Sequence, residues 1–244
     1  MTYELTPLDI LNGSMSIVQV IINVIVGLML ISKYKKYKSR PLLFMGISMI
    51  LLTEVWFTHG LALILILTTG SGLSPEMFFL CAFTLVPWAT LAWMVVITDL
   101  MYKDKQKLIL SIYAIFGVVY NIIFFYLLFT NITLIGQLEN PIDPHTGTFI
   151  TVFLLIILIN VFITGFLFFR ESRKSQDSEI RLKGTLFFLS STSFVIASIL
   201  DTLPLNIVII IIVRILLVLA AIEVYGAFLL PEWMKKLFLK EESS

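Results

Sequence analysis

The feature that most constrains this chain is the recurrence of apolar runs of membrane-spanning length, separated by short polar connections. Seven such windows occur, at residues 10–32, 42–67, 77–100, 108–130, 149–169, 185–203 and 205–230. A helix rising ~1.5 Å per residue needs ~20 apolar residues to cross a ~30 Å hydrocarbon layer. Within that layer no water meets the backbone N–H and C=O groups, so runs of this kind must close their hydrogen bonds inside a helix. The sequence therefore predicts an all-α, seven-transmembrane helix bundle. With 59% hydrophobic and 14% charged residues, the chain could not cover a soluble domain of 244 residues with an ordinary polar surface. Residues 1–231 are expected to form one transmembrane domain, and residues 232–244 a short cytoplasmic interfacial amphipathic helix and tail.

The basic residues set the expected orientation. Lys33, Lys35, Lys36, Lys38 and Arg40 fall in the first connection, and Lys103, Lys105 and Lys107 in the third. Arg170, Arg173, Lys174, Arg181 and Lys183 fall in the fifth, and Lys235, Lys236 and Lys240 in the tail. Sixteen of the 17 Lys and Arg thus alternate onto one side, and Arg214 is the exception. The positive-inside rule places that side and the C-terminus in the cytoplasm and the N-terminus outside, in a multi-pass protein of the cell membrane. The other side carries Glu4, Asp9, Glu76, Glu139, Asp143 and Asp201 and is acidic. The first dozen residues hold no Lys or Arg, so they lack the basic start of a cleavable signal peptide.

Connections and helix breakers refine this picture. Pro204 in DTLPLN separates the sixth and seventh windows, which would otherwise fuse. Pro87, with Trp88 and Trp93 nearby, predicts a local kink packed by aromatic rings. The second window is long enough to tilt or to project beyond the membrane. Residues 131–148 contain Pro141, Pro144 and two glycines and read as irregular turns; the Asn131 sequon within them sits close to a helix end. In the tail, Trp233, Met234, Leu237 and Phe238 are expected on one face, with Lys235, Lys236 and Lys240 around it, as a membrane-surface anchor.

Polar residues at bilayer depth are the candidate functional groups. Counting along each window puts Arg214 ~14 Å below one surface and Glu54 ~20 Å above the other, both near the midplane of a ~30 Å core. An ion pair between them is expected, because each would otherwise stand uncompensated in a low dielectric. Gln19, Asn23, Asn121 and Asn160 lie at the same level, and His59 one turn nearer the outside. These polar groups either fix helix packing or, with Glu54, His59 and Arg214, line an outward pocket for a small polar ligand. Asp99, Tyr102, Glu223 and Tyr225 form a rim at the cytoplasmic side where a switch would be read.

Several classes are disfavoured. One cysteine, Cys81, excludes an intrachain disulfide, and His59 and His145 in separate segments do not make a zinc site. The windows hold no Lys for a retinal Schiff base, no hydrolase triad and no chain of acids for proton pumping. No cofactor is expected, no nucleic-acid partner, and no enzyme.

The last quarter of the chain carries DSEIRLKG, ILDTLP and VRILLVLAAIEVYGAFLLPEWMKKLF. It ends in an E-x-x-G-x-x-x-L-P-x-W pattern at Glu223, Gly226, Leu230, Pro231 and Trp233. This region resembles uncharacterised seven-helix membrane proteins of archaea, which in turn resemble the seven-transmembrane sensor region at the N-terminus of histidine kinases. The resemblance implies a sensor; the chain runs only to Ser244, so its signal would pass to a separate cytoplasmic protein. A small-solute channel or carrier, or a structural membrane protein, is the alternative.

Overall fold

A computed structural model describes residues 5–138, 140–204 and 206–239. The expectations at Glu4, Glu139, Leu205 and Lys240 lie outside the described residues. The chain is all-α: α1 (Pro7–Tyr37), α2 (Arg40–Leu52), α3 (Glu54–Thr69), α4 (Pro75–Phe83), α5 (Val86–Met101), α6 (Gln106–Thr130), α7 (Thr148–Ser172), α8 (Ser178–Leu200), α9 (Ile207–Leu229) and α10 (Glu232–Phe238). Among the described residues, six helical stretches, with α4 and α5 counted together, are long and apolar enough to cross a membrane. The bent pair α2 and α3 makes a seventh if it is counted as one span.

Local chemistry sets the helix ends. At the start of α1 the Thr6 hydroxyl accepts the Asp9 N–H at 3.2 Å, while the Asp9 carboxylate accepts the Thr6 N–H at 2.8 Å. This reciprocal cap satisfies two donors that a helix start leaves free, and Pro7 occupies a position where no N–H is needed. The helix ends with Lys35 and Lys36 in its last turn, which suits the negative end of its dipole.

The helices pack in chain order around a ring. α1 lies against α2, α3 and α9; α2 against α5; α5 against α6; α7 against α8; and α8 against α9. Stacking of Phe116 and Tyr120 on Phe153, with centroids 5.5 and 3.7 Å apart, joins α6 to α7. The span formed by α4 and α5 is 67% buried and the one containing α6 only 17%, so α5 is the interior helix and α6 the outlying one. The outward faces are apolar, with Ile21, Ile115, Ile122, Phe129 and Ile163 exposed. So large an apolar surface is unsuited to water and fits a multi-pass membrane protein.

Lipid removes the hydrophobic drive for helix association, so close packing and interhelical hydrogen bonds hold the ring together. Ser48 on α2 donates to the Ala89 carbonyl at 2.9 Å, Ser190 on α8 to the Ala220 carbonyl at 3.0 Å, and Trp93 on α5 to Thr164 at 3.0 Å. Where α1 meets α2, a Cβ on Gly27 would lie 2.9 Å from the Gly46 carbonyl oxygen. Only glycine permits that approach.

Two stretches depart from the expectation. Residues 131–147 are more ordered than irregular turns: β1 (Gly136–Gln137) pairs antiparallel with β2 (His145–Thr146), and Ile135 and Ile142 are fully buried. In α10, Met234 does not share a surface face with its neighbours. It is buried beside Gly226 and Leu186, while Trp233, Leu237 and Phe238 stay exposed. Lys235 bonds Glu179 at the start of α8 (2.8 Å) and Glu232 (3.2 Å), and these carboxylates hold its ammonium above the usual lysine range. Lys236 remains exposed.

Replacing Gly46 by leucine should cost ~1–3 kcal/mol through overpacking, whereas Leu28→Ala on the exposed face of α1 should cost little. Thermal melting in detergent would measure the difference, and equal effects would contradict the close α1–α2 approach.

Candidate functional site

Pro87 interrupts the third span and thereby explains two of the midplane polar residues. Proline has no N–H and its ring crowds the carbonyl four residues back, so regular helix bonding fails here. The chain breaks at Thr84 and Leu85 between α4 and α5. The Phe83 carbonyl, left without its usual donor, accepts the Tyr120 hydroxyl at 3.2 Å. The Leu85 N–H donates to Glu54 at 2.6 Å. The Asn121 amide, assigned the orientation that satisfies both of its groups, donates to the Thr84 carbonyl (3.2 Å) and accepts from the Trp88 indole (2.9 Å). Thus α3 and α6 supply the bonds that the broken helix lost. Glu54 itself follows a second break, at Thr53, where α2 and α3 bend by 41° and the Thr53 hydroxyl takes the Ile50 carbonyl at 2.6 Å. The long second window is bent.

Arg214 belongs to a different network. It sits on α9, seven residues beyond Ile207, and its side chain is 3% exposed. One terminal nitrogen meets the Asp201 carboxylate at 3.4 Å; the other donates to the side-chain oxygens of Asn12 (2.6 Å) and Ser16 (3.1 Å). The second Asp201 oxygen accepts the Trp56 indole N–H at 2.9 Å. The expected Glu54–Arg214 ion pair is therefore corrected to Arg214–Asp201. Depth counted along the backbone misjudged the pairing, since the arginine stem reaches toward its helix end and the acid on the α8–α9 turn meets it there.

The partners on α1 belong to a polar seam. Asp9, Asn12, Ser16 and Gln19 are all buried and Asn23 is half-buried, at spacings of three and four that keep them on one helix face. Ile10, Val18, Ile21 and Ile25 face outward. At the seam's upper end Asp9 accepts the Asn140 amide at 2.7 Å, and Asn140 in turn accepts the N–H groups of Ile142 (2.8 Å) and Asp143 (3.2 Å). The 131–147 loop is thereby fastened over the acidic end of the bundle.

Beneath that loop lies a cavity of about 720 Å³, walled by α3, α4, α7, α8 and the turn after α8. His59, Asp143 and Asp201 are among its polar walls, and Trp56, Phe78 and Phe194 among its aromatic ones. Its rim includes the exposed residues His145, Thr202 and Pro204 at the acidic end and Leu155 and Ile199 on the outward faces of α7 and α8, so it opens at that end and toward the side of the bundle. Leu52, Trp56 and Phe194 also line a smaller cavity of about 60 Å³ further in, and so form the floor between the two. The larger volume lies within the ~300–1,000 Å³ typical of small-molecule sites.

Of the pocket expected from sequence, only His59 lines this cavity. It is 6% exposed, its Nδ1 lacks a partner among the described residues, and its ring tilts against Phe78. Glu54 and Asn121 serve the break, Arg214 stands behind Asp201, and Asn160 accepts the Tyr113 hydroxyl at 2.5 Å on the α6 side. Gln19 is buried with both amide atoms unpartnered among the described residues. The rim residues also separate. Asp99 is tied to Lys103, Gln106 (2.9 Å) and, at 3.6 Å, Arg40; Tyr102 is exposed; Glu223 and Tyr225 lie on α9. No group of three or more His, Cys, Asp or Glu able to hold a metal exists among the described residues. No family model, curated protein or solved structure matches the chain.

The Arg214–Asp201 pair gives a test that separates the two assignments. Arg214→Leu should cost ~1–3 kcal/mol, because it leaves Asn12, Ser16 and the half-buried Asp201 without their partner, and adding Asp201→Asn should recover part of that loss. Adding Glu54→Leu to Arg214→Leu should instead be additive in detergent melting. Asp143 gives a pH test. Burial, reinforced by Asp201 and opposed by His145 and Arg214, pushes its carboxyl up to about 6. Because the folded state favours the protonated form, its stabilising contribution is full below about 4 and is lost as pH rises through about 6. Asp143→Asn should therefore raise stability at pH 8 by ~1 kcal/mol and leave it unchanged at pH 4, as read from melting at the two pH values.

Proposed function

We propose that this chain is a seven-span sensor or receptor-like membrane protein, with its N-terminus outside and its basic end in the cytoplasm. On this reading a small molecule enters the cavity beneath the 131–147 loop, and the change is passed to a separate cytoplasmic signalling protein. The single observation that carries it is the course of α8. At one end of this helix Asp201 forms the cavity wall and holds both Arg214 of α9 and Trp56 of α3. At the other, Glu179 holds Lys235 of α10. A helix of 23 residues spans ~34 Å, so one rigid element joins the cavity to the basic face. The resemblance of the last quarter to uncharacterised archaeal seven-helix proteins, which in turn resemble the sensor regions of histidine kinases, points the same way. The segregation of Lys and Arg supports the seven-span count and the orientation.

A second reading, a channel or carrier, draws on one specific observation. The breaks at Thr53 and at Thr84–Leu85 occur at one level, and Leu52, Phe83 and Val86 beside them line the cavity. Discontinuous helices are a common way of building a transport site. The backbone groups freed here are bonded to Glu54, Tyr120 and Asn121, which favours the sensor.

The test fills the cavity covalently. In a Cys81→Ser background, Ser198→Cys on the cavity wall is modified with benzyl methanethiosulfonate, and amide hydrogen exchange is compared before and after. We expect altered exchange in the connection 173–177 and in α10. Unchanged exchange there would overturn the sensor reading. Protein-dependent entry of small polyols, potassium or chloride into proteoliposomes would replace it with transport.

A further inference from the structure

The geometry points to an organic ammonium ion with an apolar body as the ligand of the acidic-end cavity, bound at Asp143 among the aromatic walls. This rests on the reading of that cavity as a ligand site and goes on to name the chemistry it selects.

Charge decides first. Two carboxylates, Asp143 and Asp201, line the cavity. The one nearby guanidinium, Arg214, is not part of the lining; its side chain is 3% exposed and is committed to Asp201, Asn12 and Ser16. Asp201 is in turn already bonded through both oxygens, to Arg214 and to Trp56. The Asp143 carboxylate has no hydrogen-bond or ion-pair partner among the described residues; of the groups that oppose its charge, Arg214 is committed to Asp201 and His145 stands on the rim, so a carboxylate lines the cavity without a bonded cation. An anion is repelled from such a site, and a neutral molecule leaves the charge unmatched.

His59 also lines the cavity, with its Nδ1 turned away from the open space. The rest of the wall sets the body of the ligand. Trp56, Phe78, Phe83 and Phe194 lie among aliphatic side chains, and aromatic rings attract cations while accepting an apolar frame. A volume of about 720 Å³ admits a molecule of one or two rings.

The full chain in lipid nanodiscs is titrated calorimetrically at pH 8 with three probes of one shape: phenethylammonium, phenethyl alcohol and 3-phenylpropanoate. We expect the ammonium to bind at least ~10-fold more tightly than the alcohol, and the carboxylate not to bind. Asp143→Asn should remove about that factor for the ammonium and leave the alcohol unchanged. A measurement without mutation supports the same point. Lowering the pH to 5 should weaken the ammonium alone, because Asp143 gains its proton there in the company of Asp201, His145, Arg214 and Asp9.

Equal binding of ammonium and alcohol, no binding of the ammonium, or an unchanged ammonium affinity in Asp143→Asn would each overturn the assignment. The two readings fail separately. If the ammonium binds without altering exchange at 173–177, the ligand class stands and the sensor reading falls. If the tethered benzyl group alters exchange but the ammonium does not bind, the ligand class falls and the sensor reading stands.

Discussion

A guanidinium among apolar helices cannot be left uncompensated, and the acidic end of this bundle is arranged around meeting that demand. Arg214 draws Asn12 and Ser16 from α1 and Asp201 from the end of α8, and Asp201 then draws Trp56 from α3. Four helices are thereby held in one register by a set of bonds whose members lose their partner if any one of them moves. Lipid supplies no hydrophobic pressure to do this, and apolar side chains slide past one another at little cost. The polar node fixes what packing alone leaves loose. The same node ties the rim of the cavity to its floor, since Asp201 and Trp56 are both part of its wall.

The second demand is backbone bonding at a broken helix. Proline at position 87 frees groups on residues 83 to 85, and each of them finds a side chain: Tyr120 for Phe83, Asn121 for Thr84 and Glu54 for Leu85. These residues lie at bilayer depth for a structural reason, and their chemistry is spent there. Gln19 is at the same depth and unpartnered among the described residues, yet it lies outside the cavity, whereas His59 and Asp143 line it. Depth alone therefore does not separate the residues that hold the bundle from those that line the cavity.

Much of the architecture was legible in the sequence because the bilayer enforces it. Apolar length gave the helices, charge segregation gave the two chemically distinct ends, and Pro87 gave the interruption of the third span. The pairing of Glu54 with Arg214 was not legible correctly, because counting along a helix locates a Cα while an arginine places its charge ~6 Å away along its stem. The bend at Thr53 has no proline or glycine to announce it. Nor could hydropathy show that residues 131–147 fold into a fastened cover, since that depends on Asn140 reaching Asp9 across 131 positions of chain. One signal was present and informative: Asp9, Asn12, Ser16, Gln19 and Asn23 repeat at helical spacing on one face of α1, which marks the side turned toward the bundle.

Asp143 and Asp201 show how one charge type can serve two purposes a short distance apart. Asp201 lies at the end of a helix, where Arg214 and Trp56 neutralise and orient it, so changing it disturbs four helices at once. Asp143 is held by its backbone through Asn140, and its carboxylate is left to face the cavity. A ligand cation that meets Asp143 therefore need not break the structural pair to bind. On the proposed reading its charge would also reach Asp201, since the two acids share one cavity wall, and would compete with Arg214 for the same negative potential. Glu179 ties the far end of α8 to Lys235 of α10, so a loosening at Asp201 would act on an element that runs to the basic end. The two acids are thus differently placed: Asp201 is bonded into the bundle, and Asp143 lines the cavity.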